Sequence, residues 1–137
     1  AKLSGATVIS NDAYTKIACN TEVYDTNSMY DNSSNYRFTP TIAGEYYVYG
    51  TVYITSPTDR LQYIDALIYK NGSAALNTGV SVYNSNYINS AGCFVGGNVT
   101  FNGSSDYIEL YAVGGGASTV SVSASITNFG AYRLIGV

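Results

Sequence analysis

The sequence predicts an all-β protein, an antiparallel sandwich of about ten short strands. Three observations carry that prediction. Residues 46–54 alternate with period two: Tyr46, Val48, Gly50, Val52 and Ile54 form one set, and Tyr47, Tyr49, Thr51 and Tyr53 the other. Turn signals rich in Asn, Gly, Ser and Pro recur at roughly eight- to twelve-residue spacing. The 137 residues include 15 Tyr and 14 Gly and only 11% are charged, so charged helix formers are scarce. That length corresponds to one domain, 1–137, able to bury about 68% of its unfolded surface.

Taken in order, residues 3–9 read as a first strand, Ser10-Asn11-Asp12 as a turn, and residues 15–19 as a second strand. Val23 and Tyr24 form a possible short strand before a loop at 25–28. Asn32, Ser33, Ser34 and Asn35 are a turn cluster, residues 37–39 an extended run, and Pro40 with Gly44 a second turn. The strand at 46–54 follows, then a loop at 55–60 and a strand at 61–70 with Ile64, Ala66 and Ile68 on one side. Asn71-Gly72 is the dipeptide of a type I′ hairpin, because both central residues need positive φ. A weaker strand is expected at 80–88, and a stronger one at 92–101. Within the latter, Gly96-Gly97 signals a bulge or a close backbone approach. Asn102-Gly103-Ser104-Ser105 turns the chain into a strand at 107–113, Gly114-Gly115-Gly116 turns it again, and strands at 119–126 and 128–137 close it.

The strand at 46–54 poses the functional question. With its even positions in a core, Tyr47, Tyr49 and Tyr53 stand on the opposite face. Tyrosine suits a surface where the ring is dry and the hydroxyl wet, which is an interface; it also has high strand propensity on any half-buried sheet. Both readings remain open at this point.

Several chemistries find no support. A net charge of -3 without a basic patch argues against nucleic acid or an anionic membrane as partner. No segment approaches the ~18 apolar residues of a membrane span, and no secretion signal is visible. The chain has no His, which removes the usual general base, Ser-His triads and His-based metal sites. Its nine acids are scattered, without the D-x-D-x-D-G spacing of a calcium loop or a pairing that indicates glycoside hydrolysis. No catalytic residue, metal site or cofactor is therefore assigned, and no enzymatic activity is expected. Cys19 and Cys93 both sit in strand-like runs and read as buried free thiols acting as small hydrophobes. The glycosylation triplets at Asn32, Asn71, Asn98 and Asn102 carry little information in a chain so rich in Asn, Ser and Thr.

Four segments carry a family resemblance. Tyr30-Asp31, Phe38-Thr39-Pro40, Ala43-Gly44 and Tyr46-Tyr47-Val48 stand together as the first. Ile68-Tyr69-Lys70-Asn71-Gly72 is the second, the run GSSDYIEL from Gly103 to Leu110 the third, and the run from Asn128 to Leu134 the fourth. In this order they resemble the C1q/TNF-like jelly roll across nearly the whole chain. Two positions depart from its pattern: Val48 replaces the usual Phe, and Arg133 stands where an apolar residue is usual. The Tyr, Asn, Ser, Thr and Gly-rich texture is most similar to such domains in bacteriophage virion proteins. The resemblance implies a non-enzymatic assembly module, commonly a homotrimer, with Tyr47, Tyr49 and Tyr53 against neighbouring subunits and Phe94 as a further contact. It implies a phage structural protein on the virion surface (head decoration, knob or fibre component) whose partners are itself and other virion proteins. The alternative is a receptor- or carbohydrate-binding module, as a tail-fibre tip or a secreted C1q-like lectin. That module would bind a host-surface glycan or protein through loops at 55–60, 84–90 and 114–118.

Overall fold

Period-two alternation becomes two facing antiparallel sheets in the computed structural model, which describes residues 1–58, 60–82, 87–116 and 119–136. The first sheet is built on β5 (Gly44–Thr55). Along one edge β5 pairs over its full length with β8 (Ser90–Phe101), from Gly44 opposite Phe101 to Thr55 opposite Ser90. Its other edge is shared between β10 (Thr119–Val122) and β11 (Asn128–Arg133), and β1 (Thr7–Ser10) lies beyond β10. The second sheet centres on β6 (Tyr63–Lys70) and β9 (Ile108–Gly115), with β7 (Ser73–Ser81) outside β6. On the far side of β9 lie β2 (Thr15–Lys16) and β4 (Arg37–Phe38), and β3 (Tyr30–Asp31) flanks β4.

The core lies between the sheets because each strand turns one set of alternate residues inward. Tyr46, Val48, Val52 and Ile54 face Ile64, Ala66, Ile68, Ile108, Leu110 and Ala112, all buried. Gly50 breaks the apolar set so that Leu110 can fit: a Cβ there would lie 2.5 Å from Leu110 Cδ1. At one end Phe38, Tyr46 and Phe101 pack edge to face, with centroids 5.2 to 6.0 Å apart. Tyr46 belongs in a core because its hydroxyl donates to the Ile42 carbonyl at 2.9 Å.

Turn chemistry fixes the ends of the sandwich. Asn71 and Gly72 take φ of 51° and 81°, as a type I′ turn requires. The Asn71 side chain accepts from Tyr107 N at 3.0 Å and donates to Asp106 at 2.8 Å, tying this hairpin to the turn before β9. In that second turn Gly103 has φ of 73°, and a Cβ there would overlap the backbone of Ile42 and Ala43. Gly103→Ala is therefore expected to cost about 1–3 kcal/mol, read from urea midpoints. A change within experimental error would mean that this backbone approach is not tight.

Asp31 accounts physically for its place beside Tyr30. Its carboxylate accepts from the backbone N–H groups of Ser33, Ser34 and Asn35 at 2.9 to 3.0 Å and from Asn35 Nδ2 at 2.8 Å. The backbone bonds, led by that from Ser34, hold this carboxyl well below the usual carboxylate range. A depressed native pKa stabilises the fold above the unfolded value of about 3.9 and is lost as pH falls through the native value. Asp31→Asn should therefore be less stable at pH 7, with the gap from the parent closing as pH drops below about 4. A gap that stays constant from neutral to strongly acid pH would contradict this linkage.

Several expected elements differ. Gly96-Gly97 makes no bulge, since β5 and β8 stay in uninterrupted register. The glycines instead admit close approach: a Cβ at Gly97 would lie 3.2 Å from Leu76 Cδ1. The weak strand expected at 80–88 is replaced by β7, which starts seven residues earlier at Ser73, and residues 83–86 lie outside the described residues. Val23 and Tyr24 are exposed loop residues, not a strand, because no neighbouring edge pairs with them. The strand expected at 15–19 is only two residues, and that at 119–126 stops at Val122, after which Ser123 N–H makes a last bond to the Tyr53 carbonyl at 2.8 Å. β11 ends at Arg133; Leu134 makes a last bond to Glu45 O, and Ile135 is 94% exposed.

Candidate subunit interface

The outward face of the β5 sheet collects the tyrosines singled out from the sequence. Tyr47, Tyr49 and Tyr53 all lie half-buried on it, and Phe94, paired with Thr51 from the neighbouring β8, joins them with 53% of its surface exposed. Register explains why these rings do not stand upright. Tyr49 sits between Gly96 and Gly130, and Tyr53 sits opposite Gly92. A side chain at Gly130 would overlap the Tyr49 phenol, and one at Gly96 would touch Tyr47 and Phe94. The aromatic rings lie down over positions where flanking strands have none, covering backbone that glycine leaves bare. Tyr47 also packs on Tyr132 of β11 at 5.6 Å between centroids, and the Tyr53 hydroxyl donates to Ser90 Oγ at 2.7 Å.

Sequence reasoning missed Tyr132, 55% exposed, and Val8 on β1, 69% exposed. Tyr132 lies directly opposite Tyr47, a neighbour 85 residues away in sequence that the β11 register fixes. The closing strand's alternation around Phe129 was the signal that could have found it.

Charge divides the two sheets. The five strands of the β5 sheet contain only Glu45 and Arg133, both at one end and both engaged locally. Glu45 accepts from the Thr100 hydroxyl, and Arg133 donates to the Ala43 carbonyl at 3.0 Å while lying over Gly44. The opposite sheet carries Lys16, Asp31, Arg37, Asp65, Lys70 and Glu109. There Lys16 pairs with the buried Glu109 at 3.1 Å, Lys70 with Asp106 at 3.1 Å, and the Arg37 guanidinium lies 4.5 Å from the Tyr107 ring centre.

Reactive groups do not converge on the tyrosine face. Cys19 and Cys93 are buried free thiols. Burial pushes the Cys19 thiol up to about 11 and raises that of Cys93, so both stay protonated near neutral pH. Cys93 Sγ donates to the Thr78 carbonyl at 3.0 Å. Among the described residues no three His, Cys, Asp or Glu side chains are grouped to hold a metal ion. The loops proposed for glycan contact are incompletely described, since residues 59, 83–86 and 117–118 lie outside the described residues.

No protein-family model matches this chain, and no curated protein sequence does. Among solved structures, the Eiger TNF of S. frugiperda superimposes with a TM-score of 0.68 at 16% identity, over 98% of this chain and 88% of that one. The protein has the C1q/TNF-like jelly-roll fold, as the four sequence segments imply.

Proposed function

We propose that the chain is a non-enzymatic assembly module that works as a homotrimer, its subunits meeting through the outward face of the β5 sheet. The carrying observation is the uncharged aromatic surface formed by Tyr47, Tyr49, Tyr53, Phe94 and Tyr132 on a sheet whose only charges sit at one end. Aromatic enrichment with depletion of charge marks the centre of a subunit interface more reliably than hydrophobicity alone. A second uncharged surface supports ring closure. β7, nearly all exposed, has no charged residue and no proline to protect its free edge. Two different uncharged patches on one chain suit a cyclic, heterologous contact.

Light scattering on purified protein tests this reading. The expected mass at micromolar concentration is three times 14.6 kDa, and a mass of 14.6 kDa would retire the trimer.

Within that class we place the protein on a bacteriophage virion, as a head decoration, knob or fibre component. The support is its texture: 15 Tyr and 14 Gly among abundant Asn, Ser and Thr, with no His or Trp. Binding of purified protein to host cells and to capsids lacking it separates this role from receptor or glycan binding. Attachment to capsids is expected; saturable attachment to cells alone would replace decoration with recognition.

A further inference from the structure

Two identical triplets, Asn71-Gly72-Ser73 and Asn102-Gly103-Ser104, lie beside each other at one end of the sandwich. Asp106 joins them, its carboxylate accepting from Asn71 Nδ2 at 2.8 Å and from Asn102 N at 2.9 Å. Asparagine followed by glycine carries its own electrophile and nucleophile. The side-chain carbonyl carbon and the next main-chain nitrogen are one ring closure apart, and glycine has no side chain to shield that nitrogen. Since the triplets share this chemistry, their surroundings decide which of them can use it.

Around Gly72 there is room. Asn71 and Gly72 are exposed, and a Cβ at Gly72 would meet only the Tyr107 hydroxyl, at 3.8 Å. The Tyr107 N–H donates to Asn71 Oδ1 at 3.0 Å, where negative charge gathers when a nucleophile adds to the carbonyl. Gly103 is clamped instead: a Cβ there would lie 2.3 Å from Ala43 N and 2.8 Å from the Ile42 carbonyl carbon. That packing fixes the peptide plane that must turn for a ring to close. The Asn102 side chain is committed as well, its Oδ1 accepting from the N–H groups of Ser104, Ser105 and Asp106 at 2.9 to 3.1 Å.

We propose that Asn71 is a self-modification site, converted by reaction with Gly72 and water, while the fold withholds Asn102 from the same reaction. Gly72 N, its proton passing to hydroxide, bonds to Asn71 Cγ, and the charge that develops on Oδ1 faces the Tyr107 N–H. The Cγ–Nδ2 bond then breaks, Nδ2 takes a proton from water and leaves as ammonia, and a succinimide ring remains. One water opens the ring at either carbonyl, giving aspartate or isoaspartate. Water is the only co-reactant, so the reaction does not depend on assembly. Its product acts on the junction of the two turns. The Asn71 amide first, and then Lys70, hold the Asp106 carboxyl below the usual carboxylate range. A carboxylate in place of that amide removes a donor and sets like charges together, weakening the tie between the β6–β7 hairpin and the turn before β9. Isoaspartate also adds a main-chain atom to a turn built for two residues.

The test is incubation of the full chain in mildly alkaline buffer made with heavy-oxygen water, once folded and once in urea. Peptide mapping by mass spectrometry then reads label, and separates aspartate from isoaspartate, at both triplets. In the folded chain Asn71 is expected to take up label at least about tenfold faster than Asn102, an effect of the size that positioning of reacting groups produces. In urea the two should react at nearly equal rates, because only the shared local sequence is left. Asn71→Asp, which a type I′ turn accepts, should unfold at a lower urea concentration than the parent at neutral pH, the gap closing as the paired carboxylates take up protons. Equal labelling in the folded chain, faster labelling at Asn102, or an unreactive Asn71 in a chain that reacts in urea overturns the assignment. An Asn71→Asp midpoint equal to the parent's overturns the effect on the hairpin.

Discussion

Phe94→Asp is expected to leave the chain folded and to lower its solution mass from three times 14.6 kDa to 14.6 kDa. Within one chain Phe94 is 53% exposed and lies over Gly96, so its loss should change monomer stability by about 0.5 kcal/mol or less. In an assembled ring each copy would bury an unpaired carboxylate, costing about 3–5 kcal/mol per interface. That is roughly a hundred- to several thousand-fold in each contact, enough to dissociate a trimer at micromolar concentration. Tyr49→Asp should act in the same direction but less cleanly, because Tyr49 also covers Gly130 within its own chain. An unchanged mass for a folded Phe94→Asp protein would exclude this face as the contact.

Phe101→Ala is expected to cost about 3–5 kcal/mol of folding stability and roughly 10–20 °C in thermal midpoint. Phe101 is 2% exposed and holds the aromatic cluster together, edge-on to Phe38 at 6.0 Å and to Tyr46 at 5.2 Å. Removing its ring leaves a cavity between two sheets whose backbones are pinned by pairing and cannot collapse to fill it. Against a total stability of ordinarily 5–15 kcal/mol, this is a large fraction. Tyrosine fluorescence in urea suits the measurement, the chain having no Trp. It is best made in the Phe94→Asp background, because unfolding of an oligomer depends on concentration. A loss below about 1 kcal/mol would show that the cluster is not close-packed.

The strands β5 and β6 were legible in the sequence because each buries one face, and burial of alternate residues writes period two into the chain. The hairpin at Asn71-Gly72 was legible because few residues tolerate the φ values it needs. Those local constraints, with the four ordered segments, determined the sandwich and the outward set Tyr47, Tyr49 and Tyr53. β7 was not legible: eight of its nine residues are exposed, so it has no apolar face to write a pattern, and only the ladder with β6 makes it a strand. Gly96 and Gly97 were ambiguous because glycine marks a bulge and a close approach alike, and Leu76, Tyr47 and Phe94 decide between them. The tertiary structure alone set Tyr132 beside Tyr47, a pairing that depends on strand register. Periodicity is a property of one strand and can be read along it; who faces whom is a property of two and exists only once they pair.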